Sequence, residues 1–344
     1  MIDVIPYKLQ FKSPAGTSRG VYTERTGWYI TVNGVIAGEC APLPDLSVDF
    51  STCGSLLNKI IHDASVVDAF SKGELSEKLV ERLRPYPSIL FGLESAVWFV
   101  QSKGFSTVDS RFARSECPIT INGLVWMGSY EQMRERMEEK LAQGFSCIKI
   151  KIGAIDFDKE LALLEQIRRD FTKEQVTIRV DANGAFSPDE ATERLRLLSA
   201  FDIHSIEQPI KAGKWGRMAG LCAESLIPIA LDEDLIGVNT LDERLQLLSI
   251  INPQYIVIKP TLHGGISGTF EWIAAAESLG IGWWLTSALE SNIGLTAIAH
   301  LCGILSDQYP KMHDFPQGLG TGALFTTNQP SKLTLQGDKM WHIK

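Results

Sequence analysis

The sequence predicts an α/β protein in which a modified (β/α)8 barrel carries an N-terminal α+β capping domain. From about residue 117 onward, short β-branched runs alternate with segments of helical period, which is typical of βα units around a parallel sheet. The first 115 residues lack this alternation and combine strand-like and helical segments. A chain of 344 residues is long enough to hold both parts.

Eight candidate strands follow one another in the second part of the chain. They are residues 118–122, 147–152, 176–181, 203–207, 228–232, 255–259, 281–286 and 311–315. Capping boxes at Ser129 with Gln132 and at Ser187 with Glu190 predict helix starts between them. Eight such units within about 200 residues fit a (β/α)8 barrel.

These patterns divide the chain into three expected parts. Residues 1–115 form the α+β capping domain, and residues 116–319 form the barrel with the active site. The segment 320–344 has no helical period, and we expect it to return and pack on the capping domain.

Composition limits the partners that the protein can have. Hydrophobic residues make up 44%, charged residues 22%, and the net charge is -8, with no stripe of Lys and Arg that could follow nucleic-acid phosphates. The longest uncharged runs are too short and polar for a membrane span, and no signal peptide is visible, so the expected location is the cytoplasm. Six scattered cysteines without a C-x-x-C pair indicate reduced, structural thiols. We therefore expect a small-molecule partner.

Charged residues occupy one face of the predicted strands. Because successive side chains of a strand point to opposite faces, Lys149 and Lys151 share the face opposite the three isoleucines of residues 148–152. Arg179 and Asp181 follow the same rule in the next strand. Five consecutive strands thus end in an inward ionisable residue, namely Lys151, Asp181, Glu207, Asp232 and Lys259. Their spacing of 25 to 30 residues predicts that they lie at one level, at the C-terminal ends of the strands, where barrel enzymes place their chemistry.

The three carboxylates predict a hard cation. Asp181, Glu207 and Asp232 on adjacent strands would repel one another without one, and oxygen ligands suit Mg²⁺. Zinc is disfavoured because the six histidines form no ligand-spaced pair. A lysine in such a closed site has its pKa lowered and can act as a base on a carbon next to a carboxylate. The alternatives are structural ion pairs and a metal-dependent phosphohydrolase, and the absence of a phosphate-binding glycine loop with its lysine argues against the latter.

Together these motifs resemble the enolase superfamily, in its muconate-lactonising-enzyme-like branch. The motifs are K-x-K at 149–151, D-A-N at 181–183, E-Q-P at 207–209, D-E at 232–233 and K-P at 259–260. The resemblance implies a capping domain, a modified barrel, Mg²⁺ bound by Asp181, Glu207 and Asp232, and Lys151 and Lys259 as the acid/base pair.

Within that branch, the segments 286–295 and 317–325 and the inward Arg179 resemble the o-succinylbenzoate synthase family, dehydratases of menaquinone biosynthesis. The resemblance implies that Lys151 removes the proton next to the substrate carboxylate, that Mg²⁺ holds the enediolate, and that the β-hydroxyl leaves. Lys259 would then act as a stabilising cation. The expected substrate-binding or supporting residues are Lys149, Arg179, Asn183, Ser287, Glu290 and Gly318.

The sequence leaves several interpretations of the activity open. An N-acylamino acid racemase or another muconate-lactonising-type isomerase would use the same two lysines. A dipeptide epimerase is disfavoured because the acidic D-x-D pair expected after the last strand is reduced to Asp314.

The loop 16–20 could close over the barrel as a lid, with Arg19 as the residue of interest. Asp234 stands where serine is common in the branch, and the sequence offers no reason for it.

Overall fold

The N-terminal part of the chain forms a three-stranded antiparallel sheet followed by four helices. A computed structural model describes residues 1–17 and 20–343. Arg19, the predicted lid residue, lies outside the described residues. The strands, in the order β1-β2-β3, are β1 (Ile2–Thr17), β2 (Gly20–Val32) and β3 (Val35–Cys40). The helices are α1 (Cys53–Ile60), α2 (Ala64–Lys72), α3 (Glu77–Leu83) and α4 (Pro87–Gln101).

A short strand, β4 (Ile119–Thr120), leads into a seven-stranded parallel sheet that curls into the barrel. Its strands lie side by side in chain order, so each crossover passes over one helix. They are β5 (Gly123–Val125), β6 (Cys147–Lys151), β7 (Thr177–Asp181), β8 (Ser205–Glu207), β9 (Ile229–Leu231), β10 (Tyr255–Ile258) and β11 (Gly282–Leu285). The predicted fold class is confirmed. The predicted first strand, 118–122, is wrong in detail, because the barrel strand is Gly123–Val125.

Seven helices cover the outside of this sheet. They are α5 (Tyr130–Ala142), α6 (Phe157–Asp170), α7 (Pro188–Leu198), α8 (Trp215–Glu224), α9 (Leu241–Ile251), α10 (Gly265–Ser278) and α11 (Asn292–Gln308). Ser129 and Gln132 form the predicted capping box of α5. At α7 only half of the predicted box exists, because Ser187 caps the backbone while the Glu190 carboxylate accepts a hydrogen bond from the Ser187 hydroxyl.

The eighth barrel position is not the predicted strand 311–315. Residues Pro310–Asp314 form a short 3₁₀ helix, with proline at its first position. The barrel is closed a few residues later, where Gln317 bridges to Ile121 and Gly318 bridges to Thr286. The side-chain oxygen of Gln317 also accepts a hydrogen bond from the Leu285 amide at 2.8 Å.

The C-terminal segment contacts both parts of the chain. It first runs beside β1, where Lys12 N donates to Leu324 O and Thr326 N donates to Gln10 O, each at 2.8 Å. It then forms the antiparallel pair β12 (Leu333–Gln336) and β13 (Lys339–His342), and β13 pairs with β4. Within the described ranges, no helix is both long and apolar enough to cross a membrane.

Strand register places the charged residues where side-chain alternation predicts, with a stagger along the later strands. Lys151 pairs with Asp181, and Asp181 pairs with Glu207, so these three lie at one level. Glu207 pairs with Ala230, and Ala230 pairs with Tyr255, so Asp232 and Lys259 lie two and four residues beyond the register position of Glu207. This stagger is the shear that strand tilt imposes on a barrel, and it leaves Lys259 paired with Asp232 and 3.9 Å from Glu207.

Two carboxylates of the N-terminal part cap the helices of the barrel. Glu39 on β3 accepts hydrogen bonds from Ser291 N and Gly294 N at the start of α11, each at 2.8 Å. Glu94 on α4 accepts from Ile266 N and Ser267 N at the start of α10. Acceptors at helix N-termini satisfy amides that have no partner in the helix, so these contacts join the two parts of the chain.

The Glu94 contact predicts a pH-dependent stability. Burial disfavours the charged carboxylate and raises the pKa of Glu94 to about 7. The stability that protonated Glu94 contributes to the fold is therefore fully present below the usual carboxyl pKa range and is lost as the pH rises through 7. We expect the stability advantage of the wild type over Glu94→Gln to fall by about 1–3 kcal/mol between pH 5 and pH 8. Urea unfolding at both pH values measures it. The exposed Glu135→Gln is the control, and an advantage unchanged with pH would contradict the prediction.

Candidate active site

A cleft lies at the C-terminal ends of the barrel strands, partly lined by the N-terminal part of the chain, here called the capping segment. Its polar wall comes from the barrel and includes Lys149, Lys151, Asp181, Asn183 and Lys259. Its apolar wall comes from both parts of the chain, namely Tyr22, Leu43, Leu46, Leu124, Trp126, Ala288 and Leu289. Such a cleft, mostly apolar with a few convergent charges, suits a small organic anion.

The lysines and carboxylates form one buried network. Lys149 Nζ lies 2.5 Å from Glu207 Oε2 and 2.9 Å from Asp181 Oδ2. Lys151 Nζ lies 2.9 Å from the same Asp181 oxygen and 2.7 Å from Asn183 Oδ1. Sequence reasoning predicted each of these residues for the site, and the structure brings them together.

On the other side of the network, Lys259 pairs with Asp232 Oδ2 and lies 3.9 Å from Glu207 Oε1. The strand order is therefore Lys151, Asp181, Glu207, Asp232, Lys259, with a lysine at each end of the three carboxylates. Lys149 lies one step below Lys151 on the same strand and reaches the two central carboxylates.

Lys151 and Lys259, the lysines at the two ends of the carboxylate row, have pKa values shifted in opposite directions. Burial lowers the pKa of Lys151, and the attraction of Asp181 does not compensate for it because Lys149 and Lys259 add repulsion. Burial also acts to lower the pKa of Lys259, but the carboxylates of Asp232 and Glu207 outweigh it and raise that pKa. Lys151 therefore gives up its proton more readily, while Lys259 holds its charge.

The carboxylate row is the part of the network that fits a divalent cation. Among the described residues, no three His, Cys, Asp or Glu side chains form a ready-made metal cluster, because the lysine ammoniums lie between the carboxylates. However, the buried Glu207 Oε1 and Asp232 Oδ1 have no hydrogen-bond partner in the described part of the chain. Buried anionic oxygens without a donor fit an oxygen-seeking ion such as Mg²⁺.

Asn183 holds Lys151 in place and has an unusual backbone. Its φ of 45° lies in the left-handed region, and its backbone amide donates a hydrogen bond to Asp181 Oδ1 at 3.0 Å. Its side-chain nitrogen donates to Glu233 Oε1 at 3.2 Å. The side-chain oxygen is thereby aimed at Lys151.

The remaining predicted residues divide into two groups. Ser287 and Gly318 line the cleft, and Ser287 Oγ lies 2.7 Å from Thr321 Oγ1. Glu290 does not line it; this fully buried carboxylate accepts hydrogen bonds from Ala288 N and Thr261 and so holds the loop after β11.

Arg179 also lies away from the cleft. It is buried inside the barrel, where its guanidinium stacks 3.9 Å from the centre of the Trp284 ring and donates to Pro316 O at 2.7 Å. The reason is its position two residues before Asp181, one layer deeper in the barrel. It supports the segment that closes the barrel rather than contacting a ligand.

Sequence reasoning missed several residues of the cleft. Tyr22, Leu43 and Leu46 come from the capping segment, and no local pattern marks them. Trp126 follows β5, and its ring centre lies 5.6 Å from Lys151 Nζ. The correct placement of β5 would have pointed to Trp126, because it extends the first barrel strand at the same end as the charged residues.

Comparisons with known proteins agree with this architecture. Residues 132–331 match the family of enolase C-terminal domain-like proteins. An o-succinylbenzoate synthase from Desulfotalea psychrophila is 43% identical over 96% of this chain and 95% of its own length. The chain belongs to the enolase superfamily, in its muconate-lactonising-enzyme-like branch, and the predicted resemblance is confirmed.

Solved structures extend the comparison to the whole fold. The crystal structure of MenC from Desulfotalea psychrophila superposes with a TM-score of 0.81 at 37% identity and covers 99% of both chains. A dipeptide epimerase from Enterococcus faecalis, complexed with Mg and the dipeptide L-Leu-L-Tyr, superposes with a TM-score of 0.79 at 18% identity. It covers 100% of this chain and 96% of its own. The second likeness concerns the fold alone.

Close packing at Gly318 predicts a stability effect of substitution. A β-carbon there would overlap with the side chain of Thr286, whereas one at Gly320 would meet its nearest atom, Asn122 O, at 3.6 Å. We expect Gly318→Ala to lower the free energy of unfolding by about 1–3 kcal/mol, because an overpacked site forces its neighbours to shift. Gly320→Ala is the matched control, with an expected change within about 0.5 kcal/mol. Equal urea midpoints for the two variants would show the prediction to be wrong.

Proposed function

We propose that this chain is an o-succinylbenzoate synthase, a carbon–oxygen lyase that converts 2-succinyl-6-hydroxy-2,4-cyclohexadiene-1-carboxylate to o-succinylbenzoate. The observation that carries the proposal is the pair Lys151 and Lys259, which line one cleft from the two ends of a carboxylate row. The near full-length similarity to an enzyme of that name supports the choice of reaction.

In the proposed reaction, Lys151 Nζ is the base. As a neutral amine it takes the proton from the carbon next to the ring carboxylate, which leaves an enediolate. The C–O bond at the neighbouring carbon then breaks, and the Lys151 ammonium returns the proton to the leaving hydroxyl, so that one water molecule is released and the ring becomes aromatic. Burial, which lowers the pKa of Lys151, favours the first step.

Lys259 has the complementary role in this proposal. Its charge is maintained by Asp232 and Glu207, so an ammonium faces the negative charge that develops on the substrate. Asp181, Glu207 and Asp232 would hold Mg²⁺, which when bound supplies further positive charge against the substrate carboxylate. The Mg named with the Enterococcus faecalis relative supports this assignment.

We propose that the expected three parts of the chain, 1–115, 116–319 and 320–344, act together at this cleft. Tyr22, Leu43 and Leu46 of the capping segment would exclude water from the ring of the substrate, and the barrel supplies the charges. Lys149, Asn183, Ser287 and Gly318 would bind or orient the substrate and the lysines, while Arg179 and Glu290 support the loops.

An N-acylamino acid racemase is the second candidate. It is favoured by the presence of a lysine at each end of the carboxylate row, because racemisation needs a proton donor and acceptor on opposite faces of one carbon. The dipeptide epimerase reading is weaker, since Asp314 is exposed in the 3₁₀ helix and does not line the cleft.

Substitution of the lysines tests the proposed reaction. We expect Lys151→Ala and Lys259→Ala each to reduce kcat for dehydration by about 10²–10⁴-fold, because each removes a group that acts on the reacting atoms. Ultraviolet absorbance follows the conversion of the diene to the aromatic product. The exposed Lys72→Ala is the control, and turnover that survives Lys151→Ala would refute the mechanism.

One variant distinguishes the two candidate activities. Lys259→Arg keeps a cation but removes a usable base, so we expect it to retain more dehydratase activity than Lys259→Ala. Racemisation of an N-acyl amino acid, measured as loss of optical activity, should be lost in both variants, because inversion needs a proton donor and acceptor on opposite faces of the carbon. Efficient racemisation together with no dehydration by the wild type would favour the racemase.

A further inference from the structure

Gln208 ties together the three strand ends that carry the carboxylates. It follows Glu207 at the end of β8, and its backbone amide donates to Ala230 O of β9 at 2.9 Å. Its carbonyl accepts from Gly184 N, in the loop after Asp181, at 2.7 Å. Its φ of 41° lies in the left-handed region, which lets one residue serve both neighbours.

The side chain of Gln208 continues the bonding where the backbone ladder ends. Its amide oxygen accepts from Asp232 N at 3.1 Å and from Asp234 N at 3.3 Å. Its amide nitrogen donates to Asp234 Oδ2 at 2.7 Å and to Ile210 O at 3.0 Å. The side chain therefore uses both donors and both acceptor positions, and only one orientation of the amide satisfies all four contacts.

The Asp234 side chain helps to fix this orientation, together with the backbone groups that bond to the same amide. It is buried, 4% exposed, and its second oxygen accepts from Gly213 N at 2.8 Å. A carboxylate can only accept, so it selects the nitrogen side of the Gln208 amide and directs the oxygen side to the Asp232 backbone. Neither Gln208 nor Asp234 lines the cleft.

We propose that Asp234 is a positioning residue for the cation site, acting through Gln208 on the backbone of Asp232. Gln208 also borders Glu207 in the chain and holds the loop after Asp181, so the pair sets the mutual placement of all three proposed ligands. This inference rests on the proposed function, since it requires that Asp181, Glu207 and Asp232 bind a divalent cation. Residues that orient metal ligands typically change metal affinity by 10–100-fold when they are altered.

Three variants isolate this role. Asp234→Asn is nearly isosteric, but an amide that keeps its oxygen on Gly213 N turns its nitrogen toward the Gln208 nitrogen, so two donors face each other. Gln208→Met has a similar length, removes the amide and changes no charge. The double variant Asp234→Asn/Gln208→Glu restores a donor opposite an acceptor at this contact and the net charge of the pair, although it removes the donor to Ile210 O.

The measurement is Mn²⁺ binding without substrate, followed by the paramagnetic resonance signal of free Mn²⁺. We expect affinity to weaken by about 10-fold or more in Asp234→Asn and in Gln208→Met, and to recover part of that loss in the double variant. Thermal unfolding of each variant shows that it is folded. Asp338→Asn is the matched control, because Asp338 is also buried and accepts from Ser146 Oγ and N far from the cleft, and its Mn²⁺ affinity should change by less than about 2-fold.

Each outcome has a defined meaning. Wild-type affinity in Gln208→Met would overturn the inference, even if Asp234→Asn binds weakly, because charge alone would then explain the loss. If Asp234→Asn does not fold, Gln208→Met decides. If the wild type itself binds no Mn²⁺, the proposed cation site fails and not only the role of Asp234.

Discussion

Charge balance inside the barrel mouth is the constraint on which the rest of the structure depends. Three carboxylates and three lysines are nearly or fully buried together, and an unpaired charge in that position would be very costly. Each strand must therefore end at a height that lets its charged side chain reach the opposite charge on a neighbouring strand. The register offset of Asp232 and Lys259 allows this, because Lys259 still pairs with Asp232. The network also leaves Glu207 Oε1 and Asp232 Oδ1 without a hydrogen-bond donor in the described part of the chain.

The supporting shell keeps these charges from rearranging. Aliphatic side chains on the outer faces of the strands, such as Ile148 and Ile150, pack fully buried against the helices and fix the strand faces. The strand ends are then held by polar contacts through Asn183, Gln208 and Glu290, each of which bonds to residues in the loops after the strands. The left-handed backbones of Asn183, Gln208 and Leu289 occur in these loops, consistent with strain placed beside a functional site.

The capping part of the chain contributes to the site by burial more than by charge. Glu39 and Glu94 attach it to the starts of α11 and α10, the helices that follow the strands of Lys259 and Ser287. Arg25 donates to Leu289 O at 3.1 Å and fixes the loop that forms the apolar wall of the cleft. The cap is thus connected to the same loops that shape the pocket, which gives the apolar lining a fixed position over the lysines.

The sequence by itself determined the barrel and the inward face of its strands, because side-chain alternation is a local property of each strand. The same alternation placed five charged residues on that face, namely Lys151, Asp181, Glu207, Asp232 and Lys259. Only the tertiary structure decided that Gln317 and Gly318 close the barrel, that Arg179 lies beneath the cleft, and that Tyr22, Leu43 and Leu46 line it. The tertiary structure also placed Asp234 in contact with the Gln208 side chain, which no sequence pattern predicted. These features depend on contacts between residues far apart in the chain, whose geometry is set by packing and strand shear rather than by local sequence.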